Sequence, residues 1–190
     1  MALGDLIPWI AGGIILVIIG GLVLYFVGIY NRFFSLKNSS EATLGQIRVA
    51  MKKRLDMIDQ LLGAVKSYAT FERETLEKVT AMRTRVATAD PGDLNSIEKE
   101  SRSLLGRLFA VAEAYPDLKT NTTVLTLMDS VRGVEDEIAR QRYTYNNISQ
   151  QYNTLCDVIP SNFVARILGL SKLQYLEFEE AIETPPKIAF

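Results

Sequence analysis

Twenty-five consecutive positions without a charged residue, from Leu6 to Tyr30, form the strongest pattern along the chain. About twenty apolar residues in a helix suffice to cross the hydrocarbon core of a bilayer. A cleaved signal peptide would instead need a basic leading region and a cleavage site with small residues, whereas here Asp5 leads into the run. The pattern therefore predicts a transmembrane anchor over residues 1–31.

Aromatic and basic residues at the ends of this run indicate how it would sit in a bilayer. Trp9 lies near one end, and Tyr25 and Tyr30 lie near the other, as expected for rings at the two membrane interfaces. The alternative is that these rings only fill the helix surface. Arg32 is the first Lys or Arg in the chain, and basic residues favour the cytoplasmic side. We therefore expect a single-pass inner-membrane protein with its N-terminus outside and the remainder in the cytoplasm.

Four glycines within the run form a stripe along one side of the predicted helix. At 100° per residue, Gly13, Gly20, Gly21 and Gly28 fall within a sector of roughly 100°. Small residues let membrane helices approach each other closely. The stripe predicts a contact between copies of the chain, hence a homo-oligomer, although glycine is also common in membrane helices that make no such contact.

After the run, apolar residues recur at spacings of three and four, which is typical of helices with one buried face. The first stripe begins at Leu44, and its positions turn polar near residues 68–74, where we expect a kink or break. Turn signals at residues 90–93 and 115–117 end the next helices. The inward positions are expected to be Leu44, Ile47, Met51, Leu55, Ile58, Leu62, Val65, Ala69, Leu76, Val79, Met82, Val86, Ile97, Leu104, Leu105, Leu108, Val111, Val124, Leu127, Val131, Val134, Ile138, Gln141, Tyr145, Ile148, Tyr152, Leu155 and Ile159.

These stripes predict an all-α protein. Helices joined by short turns pack antiparallel, so we expect an up-down bundle of three long helices, or four if the chain breaks near residues 68–74. Residues 161–170 look like a short cap helix. The expected organisation is an anchor at 1–31, a helical bundle at 32–170 and a C-terminal tail at 171–190 that docks onto the bundle, or alternatively frays.

Composition excludes several functions. The chain has 21 Lys and Arg, 22 Asp and Glu, no histidine and one cysteine, so Cys/His zinc sites and histidine-based catalysis are unavailable. Cys156 lies in an apolar stretch and is expected to be a small core residue rather than a nucleophile. We predict no catalytic residue, metal or cofactor. The nearly neutral charge after the anchor gives no basis for nucleic-acid binding.

Two polar groups stand out on the predicted bundle. The basic cluster of Arg48, Lys52, Lys53 and Arg54 would lie far from a membrane, since Lys52 is about 30 Å beyond Tyr30 at 1.5 Å per residue. We expect a solvated face or a protein contact there. The second group is a polar network on the last long helix, comprising Gln141, Tyr145, Asn146 and Tyr152. Such residues can fix register, bind a partner or line a ligand pocket, although structural hydrogen bonds within the protein are the commoner role.

An ordered set of motifs resembles the LemA family of prokaryotic membrane proteins. It comprises Tyr30-Asn31 with FFSLKN, Glu41-Ala42, Gln46-Ile47, Lys53-Arg54, Asp56, VKSYATFERETLEKVTAMR at 65–83, EAYPDLK at 113–119, Glu137-Ile138, Arg142-Tyr143, Tyr152-Asn153 and Pro160. Relatives often carry histidine before the glutamate where this chain has Phe71 before Glu72. The resemblance implies an N-terminal membrane helix with a cytoplasmic helical bundle, and one relative is associated with magnetosome membranes.

The function expected from these features is a non-enzymatic membrane-anchored scaffold that self-associates and organises or shapes the membrane. Its partners would be the lipid bilayer, further copies of the chain and other membrane proteins. A sensor or adaptor whose bundle binds a small ligand or a membrane enzyme is the alternative, since helical bundles can place pockets between facing helices.

Overall fold

The computed structural model describes residues 3–66, 68 and 73–177, with side chains from residue 9 onward. Within this part of the chain all regular structure is helical, which confirms the all-α prediction. The helices are α1 (Leu3–Val65), α2 (Arg73–Arg85), α3 (Pro91–Ala114), α4 (Pro116–Lys119), α5 (Thr122–Asp157) and α6 (Ser161–Ile167).

The helix boundaries follow local sequence signals. The predicted break falls between the end of α1 at Val65 and the start of α2 at Arg73. Residues 67 and 69–72, including the expected inward position Ala69, lie outside the described residues. Asp90 caps α3, because its Oδ1 accepts a hydrogen bond from Asp93 N at 2.8 Å. Asn121 does the same for α5 by accepting from Val124 N at 3.2 Å. Each cap supplies an acceptor for backbone N–H groups that the first helical turn leaves unpaired.

The chain divides into two compact units, and the second falls within Ser40–Asn147 and Gln174–Phe190. Its helices alternate in direction: Arg83 on α2 pairs with Asp56 on α1 at 2.6 Å, while Arg48 on α1 donates to the Ala89 carbonyl after α2. Residue numbers thus rise along α2 as they fall along α1, which makes the two helices antiparallel.

The predicted inward positions form most of this unit's core. Each buried aliphatic side chain contributes roughly 1.5–3 kcal/mol relative to an exposed one. Leu76 is an exception to the prediction, because it is 47% exposed on α2. The core includes Ile47, Met51, Leu55, Ile58, Leu62, Val65, Val79, Met82, Val86, Ile97, Leu104, Leu105, Leu108, Val124, Val131, Val134, Ile138 and Tyr145.

The first unit falls within Met1–Ser39 and Ile148–Leu173, so it combines the first part of α1, the end of α5 and α6. Its small core contains Ile29, Phe33, Tyr152, Val164 and Ala165. The rings of Phe33 and Tyr152 meet edge to face with centroids 5.3 Å apart, a favoured aromatic geometry.

The prediction that Ile159 faces inward is wrong. Its side chain is 76% exposed, because α5 ends at Asp157 and the helical spacing no longer holds beyond that residue. The chain turns there into α6, the short helix expected within residues 161–170. The exposed Ile159 therefore belongs to the turn rather than to the core.

Candidate functional site

The apolar run in α1 is exposed along its described length. Among the described residues it forms the one helix long and apolar enough to cross a membrane, and the residues of its most apolar stretch are not buried inside the structure. Trp9 is 81% exposed, Tyr25 is 47% exposed and Tyr30 is 39% exposed. Arg32 is also exposed. The side chains that the sequence assigns to the membrane interfaces are therefore accessible, as lipid contact requires.

The glycine stripe is open. Gly13, Gly20, Gly21 and Gly28 are exposed, and a Cβ added to any of them would meet no atom within 4 Å among the described residues. Nothing within the described chain therefore uses the close approach that glycine permits.

In the second unit, side chains of α5 hold residues 174–177 of the C-terminal segment (residues 171–177). Asn146 Nδ2 donates to the Leu176 carbonyl at 2.7 Å, and Asn146 Oδ1 accepts from Leu176 N at 2.9 Å. The neighbouring Tyr145 hydroxyl donates to the Gln174 carbonyl at 3.0 Å. The Leu176 side chain is only 2% exposed. The Asn146 amide thus pairs with the backbone as a neighbouring strand would.

The first unit contains a second pair of the same kind. Asn153 Nδ2 donates to the Leu173 carbonyl at 2.9 Å, and Asn153 Oδ1 accepts from Leu173 N at 2.7 Å. Asn146 and Asn153 are seven residues apart in α5, which places them on the same face of that helix. We call the two pairs the asparagine clamps.

The structure separates the members of the predicted polar network. Tyr145 and Asn146 both bind the C-terminal segment, whereas Tyr152 packs on Phe33 in the other unit. Gln141 is half-buried on α5. The sequence places Asn153 among the polar residues near this network, and the structure shows that it holds Leu173 as Asn146 holds Leu176. Residues 171–177 do dock, and the remainder of the predicted tail lies outside the described residues.

We expect Asn146→Ala to release the Leu176 amide, because the substitution removes both hydrogen bonds of one clamp. Each lost bond is worth about 0.5–1.5 kcal/mol. Hydrogen exchange read by mass spectrometry should then show faster exchange at Leu176. Asn147→Ala, one position further along α5, is the matched control and should leave this amide protected. Equal protection in both variants would show that the clamp does not hold the segment.

A buried ionic cluster lies between α1 and α3 in the second unit. Arg54 is completely buried, and its Nη2 donates to Glu98 Oε2 at 2.6 Å and to Ser101 Oγ at 2.5 Å. Ser101 Oγ in turn donates to the Ile97 carbonyl at 2.6 Å. Arg54 is therefore buried, whereas Lys52 and Lys53 of the same basic cluster are exposed.

Glu98 is the carboxylate at the centre of this cluster. Arg102 Nη2 lies 3.1 Å and Arg142 Nη1 lies 3.6 Å from Glu98 Oε1. Burial alone would raise the pKa of Glu98, but the guanidiniums of Arg54, Arg142 and Arg102 together hold that pKa below its ordinary value. Glu98 is therefore charged at neutral pH, and it joins α1, α3 and α5 through ion pairs.

The lone thiol is not activated. Cys156 is half-buried, and burial, followed by the neighbouring Asp157 carboxylate, raises its pKa. A raised pKa favours the thiol over the nucleophilic thiolate.

Cavities in the second unit differ greatly in size. The cavity beside Glu98, Arg142 and Leu176 has a volume of about 10 Å³, close to the minimum for a single water molecule. A groove between α2 and α3 has a volume of about 540 Å³ and is lined in part by Lys78, Lys99 and Arg107. A more open groove along α2 has a volume of about 530 Å³. Both grooves have room for a small ligand, and none of the four predicted network residues lines either of them.

The described residues form an antiparallel helical bundle, and the first helix carries an exposed apolar stretch. These features place the chain in the class of helical-bundle proteins with a candidate membrane span near the N-terminus. The sequence model of the LemA family matches residues 43–190. The chain belongs to the LemA family, as its motifs indicate.

Similar proteins come from three bacteria. Protein LemA of Metamycoplasma hominis is 28% identical over 171 residues, covering 88% of this chain and 78% of that protein. Magnetosome protein MamQ 2 of Paramagnetospirillum magneticum is 25% identical over 183 residues, covering 82% of this chain and 67% of that protein. Magnetosome protein MamQ of Magnetospirillum gryphiswaldense is 22% identical with the same coverage.

Proposed function

We propose that this protein is a non-enzymatic, membrane-anchored helical scaffold that self-associates and organises or shapes the membrane. The observation that carries the proposal is the exposed apolar part of α1 with its open glycine stripe. In water an apolar surface of this length would be strongly unfavourable, whereas a bilayer accommodates it. The names of the magnetosome relatives support a role at a membrane.

Self-association is tested by the mass of the full chain in a mild detergent and in lipid nanodiscs. Light scattering combined with size exclusion gives the number of copies, and a scaffold of this kind is expected to contain two or more. A strictly monomeric chain in both media would contradict the proposal. Electron microscopy of reconstituted vesicles then tests the shaping of the membrane, with protein-free vesicles of the same lipids as the control.

The proposed topology places the N-terminus outside and the bundle in the cytoplasm, because the basic residues follow the apolar run. We expect Asp93→Cys, at an exposed site near the start of α3, to resist a membrane-impermeant thiol reagent in intact cells and to react after lysis. The unsubstituted chain controls for labelling of Cys156. Ready labelling of Asp93→Cys in intact cells would place the bundle outside.

A sensor or adaptor is the second candidate, and the groove between α2 and α3 favours it. A ligand site beside Tyr145 and Asn146 is not open, because the backbone of the C-terminal segment occupies that position. The groove is lined by the cations Lys78, Lys99 and Arg107 and by the carboxylate Glu100, so its charged lining is cationic on balance and suits an anion. Native mass spectrometry of the purified full chain tests this candidate, since a sensor should retain or bind a small anionic compound.

A further inference from the structure

The short helix α6 has apolar side chains on two opposite faces. Val164 and Ala165 are buried, at 5% and 3% exposure, in the core of the first unit. On the other face Phe163 is 55% exposed and Ile167 is 73% exposed. Ile159, in the turn before the helix, is 76% exposed. A helix with one solvated face normally carries polar residues there. The outer apolar residues of α6 are therefore expected to contact another apolar surface.

The inner face of α6 packs at the end of the proposed membrane span. Ile29 and Phe33 belong to the same small core as Val164 and Ala165. Ile29 is in the last turn of the uncharged run that ends at Tyr30, and Phe33 is four residues further, or about 6 Å along the helix axis. In a bilayer this level is the boundary between acyl chains and headgroups.

The outer face of α6 fits that boundary chemically. Ile159, Phe163 and Ile167 are four residues apart, a spacing that within α6 places Phe163 and Ile167 on one side. Arg166 is exposed on the same helix, where its guanidinium can reach anionic headgroups. Interfacial helices combine apolar side chains with such basic residues.

We propose that α6 is an interfacial element that inserts Phe163 and Ile167, together with the preceding Ile159, into the lipid boundary beside α1. The inference rests on the proposed membrane anchor, and it adds a second contact through which the end of α5 is held at the membrane surface. The occupant of the outer face is thus lipid, continuous with the lipid around the exposed face of α1.

Spin labels in the full chain test this inference. The chain carries Cys156→Ser and one label at a time, at Phe163→Cys or Ile167→Cys, in vesicles of phosphatidylcholine with a minority of phosphatidylglycerol. Collision rates are measured with oxygen, which concentrates in lipid, and with a water-soluble nickel chelate. Val49→Cys, at an exposed position in the second unit, is the aqueous control, and Leu16→Cys, within the apolar run, is the membrane control.

The expected result is an oxygen-to-nickel ratio at 163 and 167 that is several-fold above the ratio at 49 and below the ratio at 16. Ratios at 163 and 167 equal to that at 49, with a high ratio at 16, would overturn the inference while the membrane anchor stands. Low collision rates with both reagents would overturn it in favour of a protein contact. A nickel-accessible label at 16 would contradict the proposed anchor and, with it, this inference.

Discussion

Glu98→Gln is expected to lower the free energy of unfolding by about 3–5 kcal/mol, because removing one partner of a buried ion pair leaves the other charge uncompensated. The uncompensated charge here is the fully buried Arg54 guanidinium. Urea denaturation followed by circular dichroism measures the change in the second unit. Glu100→Gln, an exposed position on the same helix, is the matched control and should change the free energy by less than about 0.5 kcal/mol.

A double substitution separates the ion pair from simple packing. Arg54→Met combined with Glu98→Leu removes both charges, and such replacements are often neutral or stabilising. We therefore expect the double variant to be more stable than Glu98→Gln alone. If the double variant is instead less stable than Glu98→Gln, the intact ion pair itself stabilises the fold, and the loss in Glu98→Gln is not mainly the cost of leaving Arg54 unpaired.

The same carboxylate gives a pH dependence with a definite sign. The folded pKa of Glu98 lies below its ordinary value, so the folded state binds fewer protons there than the unfolded state. The resulting stability is fully present above the unfolded pKa of about 4.3, and it is lost as the pH falls through the lower folded pKa. In this acid range the stability of the unsubstituted chain should fall more steeply than that of Glu98→Gln.

Replacing Gly20 and Gly21 together by leucine should dissociate or loosen the proposed oligomer. The added isobutyl groups would keep facing helix backbones from approaching closely, and the structure provides open space at both positions. Helicity and melting of the bundle should hardly change, since its core lies in the other unit. The measurement is the mass of the oligomer in detergent and in nanodiscs.

A control variant carries added bulk on the opposite side of α1. At 100° per residue, Ile15 and Leu22 lie roughly opposite the glycine sector. The variant with Ile15→Phe and Leu22→Phe should therefore form an oligomer with the same number of copies as the unsubstituted chain. An unchanged mass in the glycine variant would exclude the stripe as the contact. Self-association would then have to rest on the bundle or on residues 185–190, which lie outside the described residues.

The helices and most of their buried faces could be predicted from the sequence because spacing alone specifies a buried stripe. Val79, Met82 and Val86 follow the three-four rule and are buried. Leu76 obeys the same rule but is 47% exposed, and it lines an open groove along α2 together with Glu77 and Thr80. Periodicity thus predicts which side of a helix faces inward, but not how completely each residue on that side is covered.

The ionic cluster and the asparagine clamps could not be predicted in the same way. Arg54 stands beside Lys53 in the sequence, and nothing local distinguishes a solvated cation from one whose partner is Glu98, forty-four residues away. Asn146 and Asn153 bind backbone rather than side chains, so no complementary residue type marks their partners. Only the fold brings these groups together.

The asparagine clamps restrict substitutions at some positions of the C-terminal segment more than at others. Because each asparagine binds an N–H and a carbonyl that nearly every amino acid carries, a residue with an exposed side chain such as Tyr175 can change with little effect on these hydrogen bonds. Proline at position 173 or 176 is the exception, since it has no N–H to donate. The buried Leu176 side chain is a second constraint, so this segment can vary at exposed positions while its backbone keeps the same partners on α5.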